Sequence, residues 1–181
     1  MNSSLKIGLI SYRSNPHCGG QGVYVRHLSH ALAELGHDVE VIAGPPDPLL
    51  NNQPNNRVNN NVTLTMLKTL DLYNPEDLFR TPSLNELADP INLIEWLDVS
   101  LMGYPEPMTF GMRVERHLKK TKKEYDIIHD NQSLSYGILS LAKKMPVTAT
   151  IHHPMMVDRR LAIQSTKSFL KKVKALRWYS F

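Results

Sequence analysis

A strand, a glycine-rich loop, an amphipathic helix and a second strand follow one another within the first 44 residues, and that succession leaves few architectures open. Lys6 to Ser11 is a short apolar run, with Ile7, Leu9 and Ile10, of the kind that fills a parallel strand buried on both faces. The loop Tyr12 to Gly22 carries Pro16 and the cluster Cys18-Gly19-Gly20-Gln21-Gly22. Val23 to Leu35 then repeats apolar residues at helical spacing. Leu28, Ala31, Leu32 and Leu35 share one face, while Arg26, His27, Ser29, His30 and Glu34 take the other. Gly36 supplies the stop, and Val39 to Ala43 is a second strand closed by Gly44-Pro45-Pro46. Strands joined through a helix in this way run parallel, with a right-handed crossover. The expected fold is α/β, a Rossmann-like parallel β-sheet flanked by helices.

The pattern continues with one interruption. Gly44 to Asn61, rich in Asn and Pro, reads as an exposed loop, and Val62, Leu64 and Met66 alternate with threonines as a half-buried strand. Residues 71 to 107 break into short helical stretches, Ser83–Ala88 and Ile91–Met102, among five prolines. Phe110, Val114 and Leu118 mark one face of a helix ending in the basic run Lys119 to Lys123. Asp126–His129, Leu134–Lys144 and Val147–Ile151 then repeat strand, helix, strand. Gln164 to Phe181 forms a basic helix, with Phe169, Val173 and Leu176 on one side and Lys167, Lys171, Lys172, Lys174 and Arg177 around them.

The net charge of +4 suits an anionic small ligand or an acidic membrane surface better than nucleic acid, and no aromatic-plus-basic RNA-binding pattern occurs. Cys18 is the only cysteine, which excludes an intramolecular disulfide and a cysteine-rich zinc site. His27 and His30 read as solvated rather than as a zinc pair, so no metal is expected. The opening residues lack a charged stretch followed by a long apolar one, and no apolar run approaches the roughly 20 residues of a membrane span. The expected location is the cytoplasm, with peripheral membrane contact through the basic amphipathic helix as the form any lipid association takes.

Open α/β sheets bind ligands outside the carboxyl ends of their strands. Three polar clusters fall at such ends: the glycine loop, His129-Asp130-Asn131, and His152-His153-Pro154. Glycines admit a close backbone approach and a helix start presents free N–H groups, so Gly19, Gly20 and Gln21 suit a diphosphate; the alternative is a plain turn. A dinucleotide fingerprint is absent, because a glycine needed at position 25 is Val25, and no acidic residue closes the second strand. A Walker loop is absent as well. His152 and His153 flank the crevice, against the alternative that one is packed and the other solvated. Asp130 and Asn131 either hydrogen-bond a sugar or position His152, or else form an Asx-turn or helix cap.

The run Gly19-Gly20-Gln21-Gly22-Val23-Tyr24-Val25, followed by Leu28, Leu32 and Leu35-Gly36-His37-Asp38-Val39, resembles the start of the retaining GT-B glycosyltransferases of the large group four family. Asp126-Ile127-Ile128-His129-Asp130-Asn131-Gln132 and Val147-Thr148-Ala149-Thr150-Ile151-His152-His153 are similar to later signatures of that family. The resemblance implies two Rossmann-like domains closing on a nucleotide-sugar co-substrate, with no further cofactor and no essential metal. It matches Gly19 and Gly20, with Gln21 beside them, to the loop that approaches the donor diphosphate. It matches His152 to the histidine that contacts the transferred sugar, with Asp130, Asn131 and His153 as substrate-side neighbours. The acceptor, a sugar, a lipid or another small molecule, would bind mainly to the N-terminal half.

The family's C-terminal half carries two glutamates separated by seven residues, and no two glutamates here stand at that spacing. The chain also stops at Arg177-Trp178-Tyr179-Ser180-Phe181 without a capping residue or polar tail. The expectation is therefore that residues 1–181 are the acceptor-side half of a GT-B enzyme, lack the nucleotide-sugar-binding domain, and are inactive alone. Two other classes compete: a nucleotide-dependent oxidoreductase domain, which would bind a nicotinamide nucleotide tightly, and a non-catalytic α/β binding module, which would bind a partner or anionic vesicles but no sugar ligand.

Overall fold

The computed structural model of the chain describes residues 4–17, 20–50 and 61–179. In chain order the strands are β1 (Lys6–Ser11), β2 (Asp38–Ala43), β3 (Val62–Met66), β4 (Ile127–Asn131) and β5 (Val147–Thr150). The helices are α1 (Gly20–Glu34), α2 (Leu84–Leu87), α3 (Pro90–Ser100), α4 (Glu106–Thr121), α5 (Tyr136–Ala142), α6 (Met155–Gln164) and α7 (Phe169–Trp178). These elements fall into two compact units. The first comprises segments 1–69 and 110–152, and the second 70–109 and 153–181.

The first unit is built on one sheet, in which every pairing is parallel and the order is β3-β2-β1-β4-β5. The chain starts on the central strand, steps outward to β2 and β3, then returns to lay β4 and β5 on the other side. The carboxyl ends of β1 and β4 flank the place where that winding reverses, which is where such sheets open a crevice. The apolar run read in the sequence becomes the middle of the sheet, with Leu9, Ile10, Val39, Val41 and Ile42 fully buried. Alternation along the strands sends Ile7, Leu9, Val39, Val41 and Ala43 to one face, where they pack with Val25, Ala33 and Leu50 and with the half-buried Leu28 and Leu32. Ile10, Ile42 and Ile128 alternate to the opposite face. Each such aliphatic side chain contributes roughly 1.5–3 kcal/mol on burial, so this double-sided core fixes the strand register.

The structure corrects the helical reading in three places. Helix α1 begins at Gly20 rather than Val23, placing Gly20, Gln21 and Gly22 in its first turn. Its inner face is rotated from the one the leucines mark: Gly22, Val25, Ser29, His30 and Ala33 are buried, while Leu35 is 71% exposed. Polar residues enter that face because each finds a partner: Ser29 Oγ donates to the Arg26 carbonyl and His30 Nε2 bonds to that of Leu50. Leu50 itself belongs to the core, so the segment after β2 is anchored there rather than exposed throughout; residues 51–60 lie outside the described ones. Beyond β5, the basic helix read over Gln164–Phe181 is α7, confined to Phe169–Trp178, and a separate helix, α6, precedes it.

The second unit is helical and takes its starts from caps legible in the sequence. Ser83 and Glu86 form a reciprocal capping box on α2, and Asp89 caps α3 ahead of Pro90. Arg80 grips the Glu86 carboxylate through two nitrogens, which with the Ser83 bonds holds that carboxyl at about 2. Buried Glu95 accepts a hydrogen bond from Thr109 Oγ1 at 2.9 Å. Asp98 of α3 pairs with Arg177 of α7. Among the described residues, no helix is long and apolar enough to cross a membrane.

Candidate functional site

Three sheet-end segments of the first unit meet: the loop from β1 into α1, the end of β4, and the end of β5. Contact between them begins at Gly22. A Cβ there would lie 2.1 Å from the Asn15 carbonyl oxygen, so only glycine lets the first turn of α1 rest against the loop that precedes it. Gly20 has no such constraint. Among the described residues, a Cβ at Gly20 would find a single neighbour within 4 Å, the Nδ1 atom of His152 at 3.9 Å. The N-terminal turn of α1 and the histidine after β5, read separately in the sequence, are thus brought together. Gly19 lies outside the described residues.

Asn131, the last residue of β4, ties these segments. Its Nδ2 donates to Ser11 Oγ at 3.2 Å and to the backbone carbonyl of Gln21 at 3.1 Å. A carbonyl only accepts, which fixes the orientation of the amide and leaves Oδ1 facing His152 Nε2 at 2.5 Å. His152 therefore carries a proton on Nε2, and in the neutral ring Nδ1 is left as an acceptor on the side toward Gly20. The backbone N–H of His152 donates to Gln132 Oε1 at 2.6 Å, and Gln132 is itself buried in a left-handed conformation, φ 62°. Both ends of the histidine are therefore set by consecutive residues of one loop.

Asp130 makes that loop possible. It has no exposed surface, and its carboxylate accepts from the Ser133 amide, the Ser133 hydroxyl and the Leu134 amide at 3.1, 2.5 and 2.7 Å. Burial raises its pKa, and those hydrogen bonds pull against the rise. This is the turn-holding arrangement that the sequence left open beside direct sugar binding. Of the two residues, Asn131 is the one that positions His152.

Two further residues join the site without having been singled out for a role. Tyr24, one turn into α1, sets its ring edge-on to His152 with centroids 5.0 Å apart, and its hydroxyl meets Thr150 Oγ1 at 2.9 Å. Thr150 Oγ1 also meets His129 Nε2 at 3.0 Å, and the other ring nitrogen of His129 lies 3.0 Å from Thr148 Oγ1. Burial depresses the His129 pKa, against the pull of Asp130. The signal for Tyr24 was its place one helical turn after Gly20; nothing in the sequence pairs it with a residue 126 positions away. His153, by contrast, falls in the second unit, where its Nε2 pairs with the Asp158 carboxylate of α6.

Arranged this way, the site offers the amides of a helix start with a histidine acceptor nitrogen beside them, and among the described residues no nucleophile is aligned for covalent attack. That combination suits the binding of an anionic group and the orientation of a neighbouring hydroxyl. Residues 18–180 match the model of Glycosyltransferase Family 4. Over 178 residues the chain is 45% identical to the MMP α-(1→4)-mannosyltransferase of Mycolicibacterium hassiacum, a match covering 98% of this chain and 41% of that protein. The chain thus spans about two fifths of the length of this curated relative. The chain belongs to glycosyltransferase family 4.

Proposed function

We propose that this chain is the acceptor-side half of a glycosyltransferase that moves a sugar from a nucleotide-sugar donor to a hydroxyl acceptor. The observation that carries the reading is the approach of Gly20 to His152 Nδ1 at the carboxyl end of the sheet. Departure of a nucleoside diphosphate builds negative charge, and the amides in the first turn of α1 are oriented donors for it. Gly20, with no side chain, leaves that approach open; Gly19 and Gln21 are its proposed neighbours at the donor phosphate. His152, held by Asn131 and Gln132, presents Nδ1 to a sugar hydroxyl and is the proposed catalytic contact. Asn131 acts through His152, and Asp130 acts through the loop.

The relative's α-(1→4)-mannosyl activity makes a mannosyl donor and a saccharide acceptor the first choice for this chain. Transfer with retention needs no protein nucleophile if the departing phosphate helps take the acceptor proton, and among the described residues the side chains around His152 supply none. The nucleotide would be held mainly by a second domain of the whole enzyme, so residues 1–181 alone should not turn over. Cys18 as the single cysteine fits a cytoplasmic setting. The reading is tested with the whole protein, a set of nucleotide sugars and a mannoside acceptor, with the anomer of the product read by NMR. Transfer of an α-linked mannosyl group is expected. Absence of transfer from every nucleotide sugar, with tight binding of a nicotinamide nucleotide instead, would overturn it.

A further inference from the structure

The second unit holds a cavity of about 320 Å³ between α3, α7 and the segment that precedes α2, within the usual size range of small-ligand sites. Leu72, Val99 and Met102 give it aliphatic walls, and Phe79, Trp96 and Trp178 give it aromatic ones. The walls are clamped from outside. Trp178 stacks on Tyr104 with centroids 5.0 Å apart, Tyr104 meets Tyr73 edge-on, and Tyr73 meets Phe79 in the same way. The Asp98–Arg177 pair ties α3 to α7 beside it, and a Cβ at Gly103 would fall 2.1 Å from Asp98 Oδ2, so a side chain there would displace that carboxylate. Phe79 and Met102 both hold left-handed backbone, φ 58° and 63°, a cost that persists only where the surroundings enforce it.

The polar groups around the cavity decide its guest. Ser100 Oγ is bonded to the Trp96 carbonyl, and the Arg80 side chain is committed to Glu86 and the Leu70 carbonyl. Few donors or acceptors remain for the many hydroxyls of a sugar. Lys174 is the cation left over: it lines the cavity and makes no hydrogen bond or ion pair among the described residues. It sits in a stretch, 159–181, with seven basic residues and no acidic one. We propose that this cavity is a binding site for the alkyl or acyl chain of an anionic amphiphile, with the chain between Trp96 and Trp178 and the anionic head at Lys174. The site lies wholly within the second unit and does not depend on the sugar-transfer reading of the first.

The chain contains two tryptophans, and both line this cavity, so intrinsic fluorescence reports occupancy directly. The probes are decanoate below its micellar concentration, decyltrimethylammonium, acetate and mannose. Decanoate should shift the tryptophan emission saturably, decyltrimethylammonium should bind less tightly, and acetate and mannose should do nothing. Lys174→Glu should weaken decanoate about five- to ten-fold while leaving the melting temperature unchanged, as expected for an exposed cation facing an anion. Val99→Phe, filling the cavity, should abolish the shift; circular dichroism establishes whether that variant is folded, and Lys174→Glu carries the test if it is not. A response to mannose without one to decanoate would overturn the proposal. So would tighter binding of decyltrimethylammonium, or adsorption to phosphatidylglycerol vesicles with no response to monomeric decanoate.

Discussion

His152 Nε2 lies 2.5 Å from Asn131 Oδ1, so the residue after β5 is oriented by the last residue of β4. Because Asn131 also holds Ser11 and the Gln21 carbonyl, one amide sets β1, α1, β4 and the histidine relative to each other. The opposite ring nitrogen is thereby aimed toward Gly20.

His152→Ala in the whole enzyme should lower sugar transfer by on the order of 10²-fold or more, the usual cost of losing one oriented transition-state contact. The side chain is exposed, so the melting temperature should move little. Steady-state turnover beside thermal unfolding checks this. Equal loss from His153→Ala alone would move the role to the residue that pairs with Asp158.

Asn131→Ala should damage both quantities. It removes a fully buried amide that bonds Ser11 Oγ, the Gln21 carbonyl and His152, at a cost of about 1–3 kcal/mol. Denaturant unfolding gives the stability loss, and turnover of the surviving folded fraction gives the catalytic one. A stable variant with full activity would show that His152 is oriented by something other than this amide.

Gly20→Ala and Gly22→Ala should part company. At position 20 the new methyl meets, among the described residues, only His152 Nδ1, at ordinary contact distance, so folding should be unchanged or improved by up to about 1 kcal/mol. At position 22 it strikes the Asn15 backbone, and destabilisation of roughly 1–3 kcal/mol is expected. If the first turn of α1 receives a diphosphate, Gly20→Ala should nevertheless weaken nucleoside diphosphate binding to the whole enzyme. Calorimetric titration giving the same affinity as wild type would leave Gly20 as a turn residue.

Acidification should loosen the first unit through His129. Burial holds its folded pKa below the ordinary 6.5, so the unfolded chain takes up the proton first. The associated stability is present above about pH 6.5 and declines as pH falls through the folded value. His117 is shifted the same way by burial, so His129→Gln should remove part of the slope of stability against pH between 7.5 and 5, not all of it. A slope identical to wild type would place the whole effect on other groups.

The sequence made the sheet legible because a parallel strand buried on both faces leaves an apolar run that little else imitates: β1, β2 and β4 appear within a few residues of where they were read. The face of α1 was misread for a related reason. Leucine spacing marks one stripe, but Ser29 and His30 go inward once local and loop carbonyls accept their protons, and no periodicity records those partners. At the site, residue types gave His152, Gly20 and Asn131, whereas the role of Asp130 depended on its two neighbours' amides, and Tyr24 on a threonine 126 residues away. Helix α6 was missed because Arg159 and Arg160 interrupt an otherwise apolar stretch without a clear stripe.

The two units are interleaved along the chain, and that has a consequence for synthesis. During elongation, segment 70–109 emerges long before residues 153–181 that complete its unit, while β1 must wait for β4 to pair with its second edge. At roughly 5–20 residues per second, the aromatic cluster of Tyr73, Phe79 and Tyr104 stays without Trp178 for several seconds. The nascent chain therefore passes through an interval in which its first sheet can close but its second unit is still bare. In that interval aromatic surface stands exposed, and a slowed ribosome anywhere between positions 110 and 178 would lengthen its exposure.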